Sequence, residues 1–581
     1  MKTYSKLIIG SLLMSSMLTS CYDLDLYPHD KISTETFWKT ETHAKQGLMG
    51  VYNCMKTKST SGPSVALFGQ YYMLDALSDI AICNDYSTLC GGASTNRTGA
   101  YLEKWKNLYD GIAKANHAIQ NIPNIEATDD AKNGYLAEAR FMRALFYAHL
   151  VDFYGDVPIY DESWILSETF DKMLNPRSSK EEVNAFIIKD LDFAEQHLPY
   201  SWSKENYGRA TKAAAVALRG KVNLYAEKWE EAKTDFQDLV DNKDKYGCGL
   251  CDDYASMFKP DTDENKEMIF FISNSGGVGD ANDGLCMAFY LGTRSTYGSG
   301  WASLTLDPGF IDSYEMKDGR KFDWNTYLPG YTQMSSKEKL QLFSCKHDSK
   351  GVVTEYPEKL ETIKAVYADR DPRLMQTCIT PYSYYSGWNK NAPKMMQCVY
   401  FSDAVTKADN GYIEEGNFKW YWFRKFVPES DCGGQITNRT NTPINFPLIR
   451  YADVLLMLSE CYNELGKVDE AVKYLNEVRS RPSTNMPLIN NGDAWMEART
   501  KEQVRERLIH ERAVEFAGEG LRYSDIRRWK IAETACNRVA TDIFGDKRYE
   551  YNFSKDRDYL WPIPGVEIEM NEKLLPNNPN W

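Results

Sequence analysis

Histidine is scarce in this chain. There are seven in 581 residues, and no two stand four apart. An HExxH zinc helix is therefore excluded, and neither a GxSxG nucleophile elbow nor a Walker-type phosphate loop occurs. Runs of basic residues are missing as well. With 68 Lys+Arg against 82 Asp+Glu the formal net charge is −14, which argues against nucleic acid, whose binding rests on cationic phosphate contacts. After residue 21 no stretch of ~18 consecutive apolar residues occurs, so nothing there reads as a membrane-spanning helix. Cys248-Gly-Leu-Cys251 is a lone CxxC without a second pair, a weak basis for zinc. Asp261, Asp263 and Asn265 alternate like a calcium loop, but the required glycine and terminal glutamate do not follow. They read as a surface turn. No metal and no cofactor is expected, and none of the acids is marked out as a glycosidase pair.

What is present starts at the N-terminus. Lys2 and Lys6 precede an apolar stretch from Leu7 to Leu18, and then Leu18-Thr19-Ser20-Cys21. The order apolar, small, small, cysteine reads as a lipobox. On this reading residues 1–20 are a lipoprotein signal peptide, and Cys21 is acylated, an anchor in membrane lipid. Of the other twelve cysteines, Cys83/Cys90 and Cys248/Cys251 are close pairs that could be bridged in an oxidising compartment. Aromatics are abundant: 38 Tyr and 14 Trp beside 24 Phe. Rings with a polar edge suit a protein that presents them to a polar ligand or a partner.

Helical periodicity dominates both ends of the chain. It runs over Tyr101–Ile122, Tyr135–Tyr154 and Glu181–His197, and Gly155 and Pro158 close the second of these. Lys212–Val240 and Ala452–Ser480 each read as a helix–turn–helix of tetratricopeptide type. Gly220 and Ala232 in the first, and Ser459 and Ala471 in the second, occupy the small-residue positions that let two helices approach. The stretch His510–Lys530 forms a helical hairpin around Gly518 and Gly520. Between its apolar stripes lie Glu511, Arg512, Glu515, Arg522, Asp525, Arg527 and Arg528. So dense a set of opposite charges reads either as a lattice locking the hairpin or as a solvated face. From about 251 to 445 the periodicity fades, and Gly, Asn, Tyr, Pro and Trp rise. Only Met268–Ile272 reads as a strand, and Tyr297–Trp301, Tyr382–Trp388 and Trp420–Phe423 are aromatic clusters. Asp79–Tyr101 is a long polar loop, the kind that more often carries function than not. The division is thus 1–20, a helical region 21–250, an irregular region 251–445, and a helical region with a C-terminal strap, 446–581.

Several stretches resemble one family. Glu138-Ala-Arg-Phe-Met-Arg-Ala-Leu-Phe-Tyr147 with Leu150-Val-Asp-Phe-Tyr-Gly-Asp-Val-Pro158 is similar to the N-terminal signature of the SusD/RagB nutrient-binding outer-membrane lipoproteins of Bacteroidetes. Phe516-Ala-Gly-Glu-Gly-Leu-Arg-Tyr523, Asp525-Ile-Arg-Arg-Trp529, Leu560-Trp-Pro-Ile-Pro564 and Asn577-Asn-Pro-Asn-Trp581 resemble its C-terminal signatures. The resemblance implies a mainly α, SusD-like fold with tetratricopeptide-type hairpins and a loop-rich middle. It also implies a non-catalytic role. The protein would sit surface-exposed on the outer membrane, capture oligosaccharide or polysaccharide, and deliver it to a SusC-like TonB-dependent transporter. In that family the glycan lies on loops of the first hundred residues and of the middle region. The corresponding residues here are Asn84, Asp85, Tyr86 and Tyr101 on one side, and Tyr297, Trp301 and Trp388 on the other, with Trp301 foremost. The chain departs from some members in having no tryptophan between Trp38 and Trp105, which makes Tyr86 the candidate substitute for a stacking ring there. The alternatives are an anchored helical-repeat scaffold that binds only proteins, or a family member that takes peptides or another nutrient.

Overall fold

The computed structural model describes residues 37–169, 172–276, 283–389, 392–403, 412–413, 419–436 and 438–581. The expected signal peptide and Cys21 lie outside the described residues. Ten helices make the frame: α1 Glu41–Tyr52, α2 Gly99–Asn121, α3 Asp129–Tyr154, α4 Lys180–His197, α5 Lys212–Tyr225, α6 Trp229–Asp241, α7 Tyr451–Glu464, α8 Val468–Arg479, α9 Lys501–Phe516 and α10 Arg522–Arg528. From α2 to α8 each packs on the next in sequence order, and α9 returns onto α7. The last helix before the irregular middle, α6, therefore lies directly against the first one after it, α7. No helix among the described residues is long and apolar enough to cross a membrane.

The termini of these helices follow capping chemistry. The α3 helix starts six residues earlier than its apolar periodicity suggests. Thr128 caps it, accepting from the Ala131 amide at 3.3 Å, and Asp129 and Asp130 complement the positive end. It stops at Gly155, whose φ of +70° few other residues adopt. Ser179 and Thr500 build capping boxes with Glu182 and Gln503 at the starts of α4 and α9. The small residues of the hairpins are where backbones approach. A Cβ on Gly220 would stand 2.6 Å from the Phe236 ring of the facing helix, and Ser459 Oγ donates to the Ala471 carbonyl at 2.7 Å.

The middle region is clamped at its base. Strand β2, Met268–Ile272, pairs antiparallel with β6, Phe446–Arg450, and both are buried throughout. Four further strands matter for the site: β1 Ala81–Ile82, β3 Thr305–Leu306, and the hairpin of β4 Tyr384–Asn389 with β5 Ala392–Cys398. The expected strap is present. Trp561 is buried and donates through its amide to Phe153 O at 2.7 Å, while Asn578 Nδ2 donates to Tyr154 O and Trp561 O at 2.9 and 2.6 Å.

One possibility left open is not realised, and one expectation fails. None of the twelve described cysteines is in a disulfide, so neither Cys83/Cys90 nor Cys248/Cys251 is bridged; burial instead pushes the Cys83 and Cys248 thiols up to about 12. Asp263 is not a surface residue. It is buried, and its carboxylate accepts from the Asn445 amide at 2.6 Å, holding the end of the irregular region to its beginning.

The charges of the C-terminal hairpin are a buried lattice, and its reach exceeds the hairpin. Glu515, fully buried, accepts from Arg373 at 2.8 Å and from Arg450 and Arg481 at 2.7 Å. Glu511 meets Arg373 at 2.7 Å and Arg479 at 2.8 Å; Glu519 meets Lys425 at 2.7 Å and Arg450 at 2.9 Å. Within the hairpin Arg512 bonds Asp525 at 2.8 Å. Burial alone would raise the Glu515 carboxyl. Arg481, Arg450 and Arg373 outweigh it and hold the group far below the usual carboxylate range. Arg373 and Lys425 belong to the irregular region, so the lattice fastens that region to the frame.

Candidate functional site: an exposed aromatic shelf

Trp301 is positioned by a tight loop. Its amide donates to Phe289 O at 2.6 Å, and the Gly300 and Ala302 amides donate to Thr293 O and Gly292 O, each at 2.9 Å. Neither glycine has room for a Cβ: on Gly300 it would meet the Gly292 carbonyl, and on Gly292 the Ala288 carbonyl and the Thr296 side chain. Ser299 and Ala302, on either side of the Gly300–Trp301 pair, take positive φ of 62° and 49°. Left-handed conformations in such residues cost on the order of 1–3 kcal/mol each and collect at sites of function. Behind the ring stands Phe289 at a centroid distance of 4.4 Å, with Tyr290 edge-on at 6.2 Å. Arg439 lies 4.4 Å over Phe289 and donates to Ser299 O at 3.1 Å. Thus braced, Trp301 keeps 37% of its surface exposed.

A second aromatic group adjoins this loop. Tyr297 meets Trp388 edge-on at 4.6 Å, and the Trp388 amide donates to Ser295 O at 2.6 Å. The neighbouring Gly387 is required by that approach, since a Cβ there would stand 2.7 Å from the same Ser295 carbonyl. In the β4–β5 register Tyr384, Ser386 and Trp388 face Gln397, Met395 and Pro393, so alternation puts all six on one side. That side is open at Tyr384 and Met395, each 60% exposed, and closes at the buried Gln397. The other side packs inward through Tyr385, whose hydroxyl lies 3.0 Å from Thr296 Oγ1.

The early loop reaches the same surface through a two-residue pairing. Ala81 and Ile82 pair antiparallel with Leu306 and Thr305, so residues 84–86 emerge beside the Trp301 loop. Asn84 and Asp85 are exposed. Asn84 Oδ1 accepts from Arg548 Nε at 3.1 Å, and the Arg548 guanidinium lies 4.1 Å over Trp420 while its Nη1 donates to Thr305 Oγ1 at 2.8 Å. Burial, with Cys286 and, more weakly, Asp85 nearby, pushes the Tyr290 phenol up to about 12.

Two of the expected residues lie differently. Tyr101 is 3% exposed, on the inner face of α2, where it packs against Trp561 at 4.9 Å and donates to Ser94 Oγ at 2.9 Å. The structure does not bring it to the shelf. Tyr86 is near the shelf but turned inward, 9% exposed, with its buried hydroxyl lacking a partner among the described residues; it offers no open ring face as a substitute for tryptophan. Phe289, Tyr290, Trp420, Arg439 and Arg548 belong to the site and sequence reasoning did not name them as such. Trp420 was visible as part of an aromatic cluster. Arg548 gave no signal, standing 464 residues from Asn84.

A model described as the SusD family matches residues 266–581, and a second, described as starch-binding and associating with outer membrane, matches residues 24–224. The chain is 26% identical to SusD-like protein P2 of Formosa agariphila over 601 residues, covering 100% of both chains. It is 25% identical to the starch-binding protein SusD of Bacteroides thetaiotaomicron over 457 residues, 76% of this chain and 72% of that one. Among solved structures, a SusD-like protein of Bacteroides fragilis superposes with a TM-score of 0.72 at 23% identity, covering 96% of this chain and 100% of the other. A laminarin-binding SusD-like protein superposes with a TM-score of 0.62 at 22% identity, covering 94% and 100%. The chain belongs to the SusD family.

Proposed function

We propose that this chain is a cell-surface glycan-binding lipoprotein that captures oligosaccharides on the Trp301 shelf and delivers them to a SusC-like TonB-dependent transporter. The observation that carries the reading is an exposed tryptophan face held rigid from behind by Phe289 and Arg439. A pyranose presents an apolar face of C–H groups and a rim of hydroxyls. The first stacks on an indole, and the second is met by groups such as Asn84, Asp85 and Arg548. Trp388, Tyr297 and Tyr384 extend the surface to further sugar units. Relatives named for binding starch and laminarin support the ligand class, and the family description supports the outer membrane as the site of action. Acylation of Cys21 supplies the tether. The role is binding, without catalysis.

The test is a glycan array probed with the soluble chain from residue 22. Saturable binding to a defined oligosaccharide class, abolished by free ligand, is expected. No glycan bound at millimolar concentration, together with co-purification of a barrel transporter, would leave only the protein-binding scaffold. Intact-mass measurement of the membrane-extracted protein checks the tether: a diacylglyceryl-scale increment on Cys21 is expected, and an unmodified Cys21 contradicts it.

A further inference from the structure

The helical side encloses a cavity of about 540 Å³ between α3, α5 and α10, closed on one side by the strap at Tyr559–Leu560 and Pro576–Pro579. This volume falls in the range of sites for small organic ligands. It shares no residue with the aromatic shelf. Its inner wall is apolar and buried: Leu145, Leu218, Val222, Leu448 and Ile449.

The polar part of the wall runs against the charge of the molecule. In a chain of net charge −14 it carries six cations and only two carboxylates, Asp152 and Asp156. Three cations are answered. Arg527 shares Asp152 at 3.0 Å, Arg528 meets Glu460 and Asp525 behind the wall, and Lys221 stands 3.4 Å from Asp453. Arg177, Lys180 and Lys530 have no carboxylate at ion-pair distance among the described residues. Arg177 donates to the Asp156 and Pro576 carbonyls and to Asn578 Oδ1, and Lys180 to Tyr225 O at 3.2 Å. Lys530 is exposed and lies 4.4 Å over the Tyr559 ring.

Two polar atoms on this wall are buried without a hydrogen-bond partner: Nε of Arg527, a residue 3% exposed, and the Tyr559 hydroxyl. Buried donors are rarely left so. Burial, with Lys104 and Lys221 nearby, also holds His149 on the same wall neutral. A concave surface of one sign over apolar walls concentrates ions of the other sign.

We propose that this cavity is a second binding site, for an amphipathic carboxylate. The hydrocarbon body lies on the leucine–isoleucine wall, and the carboxylate is met at the mouth by Lys180, Lys530 and Arg177. The site is independent of glycan capture.

Calorimetric titration of the soluble chain with octanoate, 1-octanol and acetate tests it. One saturable octanoate site is expected, with octanol at least tenfold weaker for want of the charge and acetate undetectable for want of the body. The double variant Lys180→Gln/Lys530→Gln weakens octanoate at least tenfold with an unchanged melting temperature and unchanged glycan affinity, and Lys180→Arg/Lys530→Arg restores it. Absence of saturable octanoate binding, equal affinity for octanol, or full octanoate affinity in the glutamine variant would each overturn the proposal.

Discussion

The frame and the shelf invert the usual rule of what is inside. At the base of the middle region Arg373, Arg450, Arg479 and Arg481 are buried among Glu267, Glu315, Glu511 and Glu515. At its surface Trp301, Tyr384 and Met395 stand in solvent. Charged groups are almost never buried unless paired, and each pair works only in one geometry. A buried lattice therefore specifies where distant segments sit relative to one another. An exposed ring needs support only from behind and leaves its face for a ligand. The difference teaches that the residues that fix distant segments are not the ones whose ring faces are left open, and that mutations should separate stability from the glycan binding proposed for the shelf.

The largest effect is expected at the lattice. Glu515→Ala leaves Arg373, Arg450 and Arg481 facing a void and should cost ~3–5 kcal/mol, as breaking buried ion pairs does; denaturant unfolding checks it. The depressed Glu515, Glu511 and Asp525 carboxyls make the lattice's contribution complete above the ordinary carboxylate value. It is lost as pH falls through the lowered folded values, so acid unfolding should also be blunted in this variant. Next comes helix packing: Gly220→Val, forced against Phe236, should destabilise by ~1–3 kcal/mol in thermal melts while glycan affinity holds at temperatures where the variant is folded.

A smaller effect of opposite pH sign concerns Asp75, which accepts from the Gly518 amide at 2.7 Å where the hairpin turns. Burial pushes its carboxyl up to about 7, against the pull of the Gly518 and Gly520 amides. The folded state thus keeps a proton that the unfolded chain releases near 3.8, and stability is lost as pH rises between those values. The stability advantage of the wild type over Asp75→Asn should shrink from pH 4 to pH 7 by at least ~1 kcal/mol; a constant gap in denaturant midpoints would show that Asp75 is ionised throughout. The mildest is Trp388→Ala, which should weaken glycan binding by ~0.5–1.5 kcal/mol, the scale of one ring contact, and leave unfolding unmoved.

The frame was legible because periodicity and small residues carry it. The stripes of α2 to α9, the Gly220/Ala232 and Ser459/Ala471 approaches and the strand Met268–Ile272 can all be read locally. The burial of Tyr101 is legible in the same way: with Trp105 and Leu108 it falls at i, i+4, i+7, the buried stripe of α2. The shelf was legible only in part. Trp301 and Trp388 stand out as rings among glycines, but a two-residue strand such as β1 has no pattern, and nothing local says that Arg548 meets Asn84. The lattice was visible as charges without partners, since Arg373 and Lys425 come from segments with no periodicity to place them.

Glycan capture on the Trp301 shelf is tested most directly by one titration. Isothermal calorimetry of Trp301→Ala with the glycan selected on the array, beside a thermal melt of the same sample, should give affinity at least tenfold lower, about 1.4 kcal/mol, with the melting temperature unchanged. Unchanged affinity, or a loss of binding that merely follows a lowered melting temperature, would contradict it.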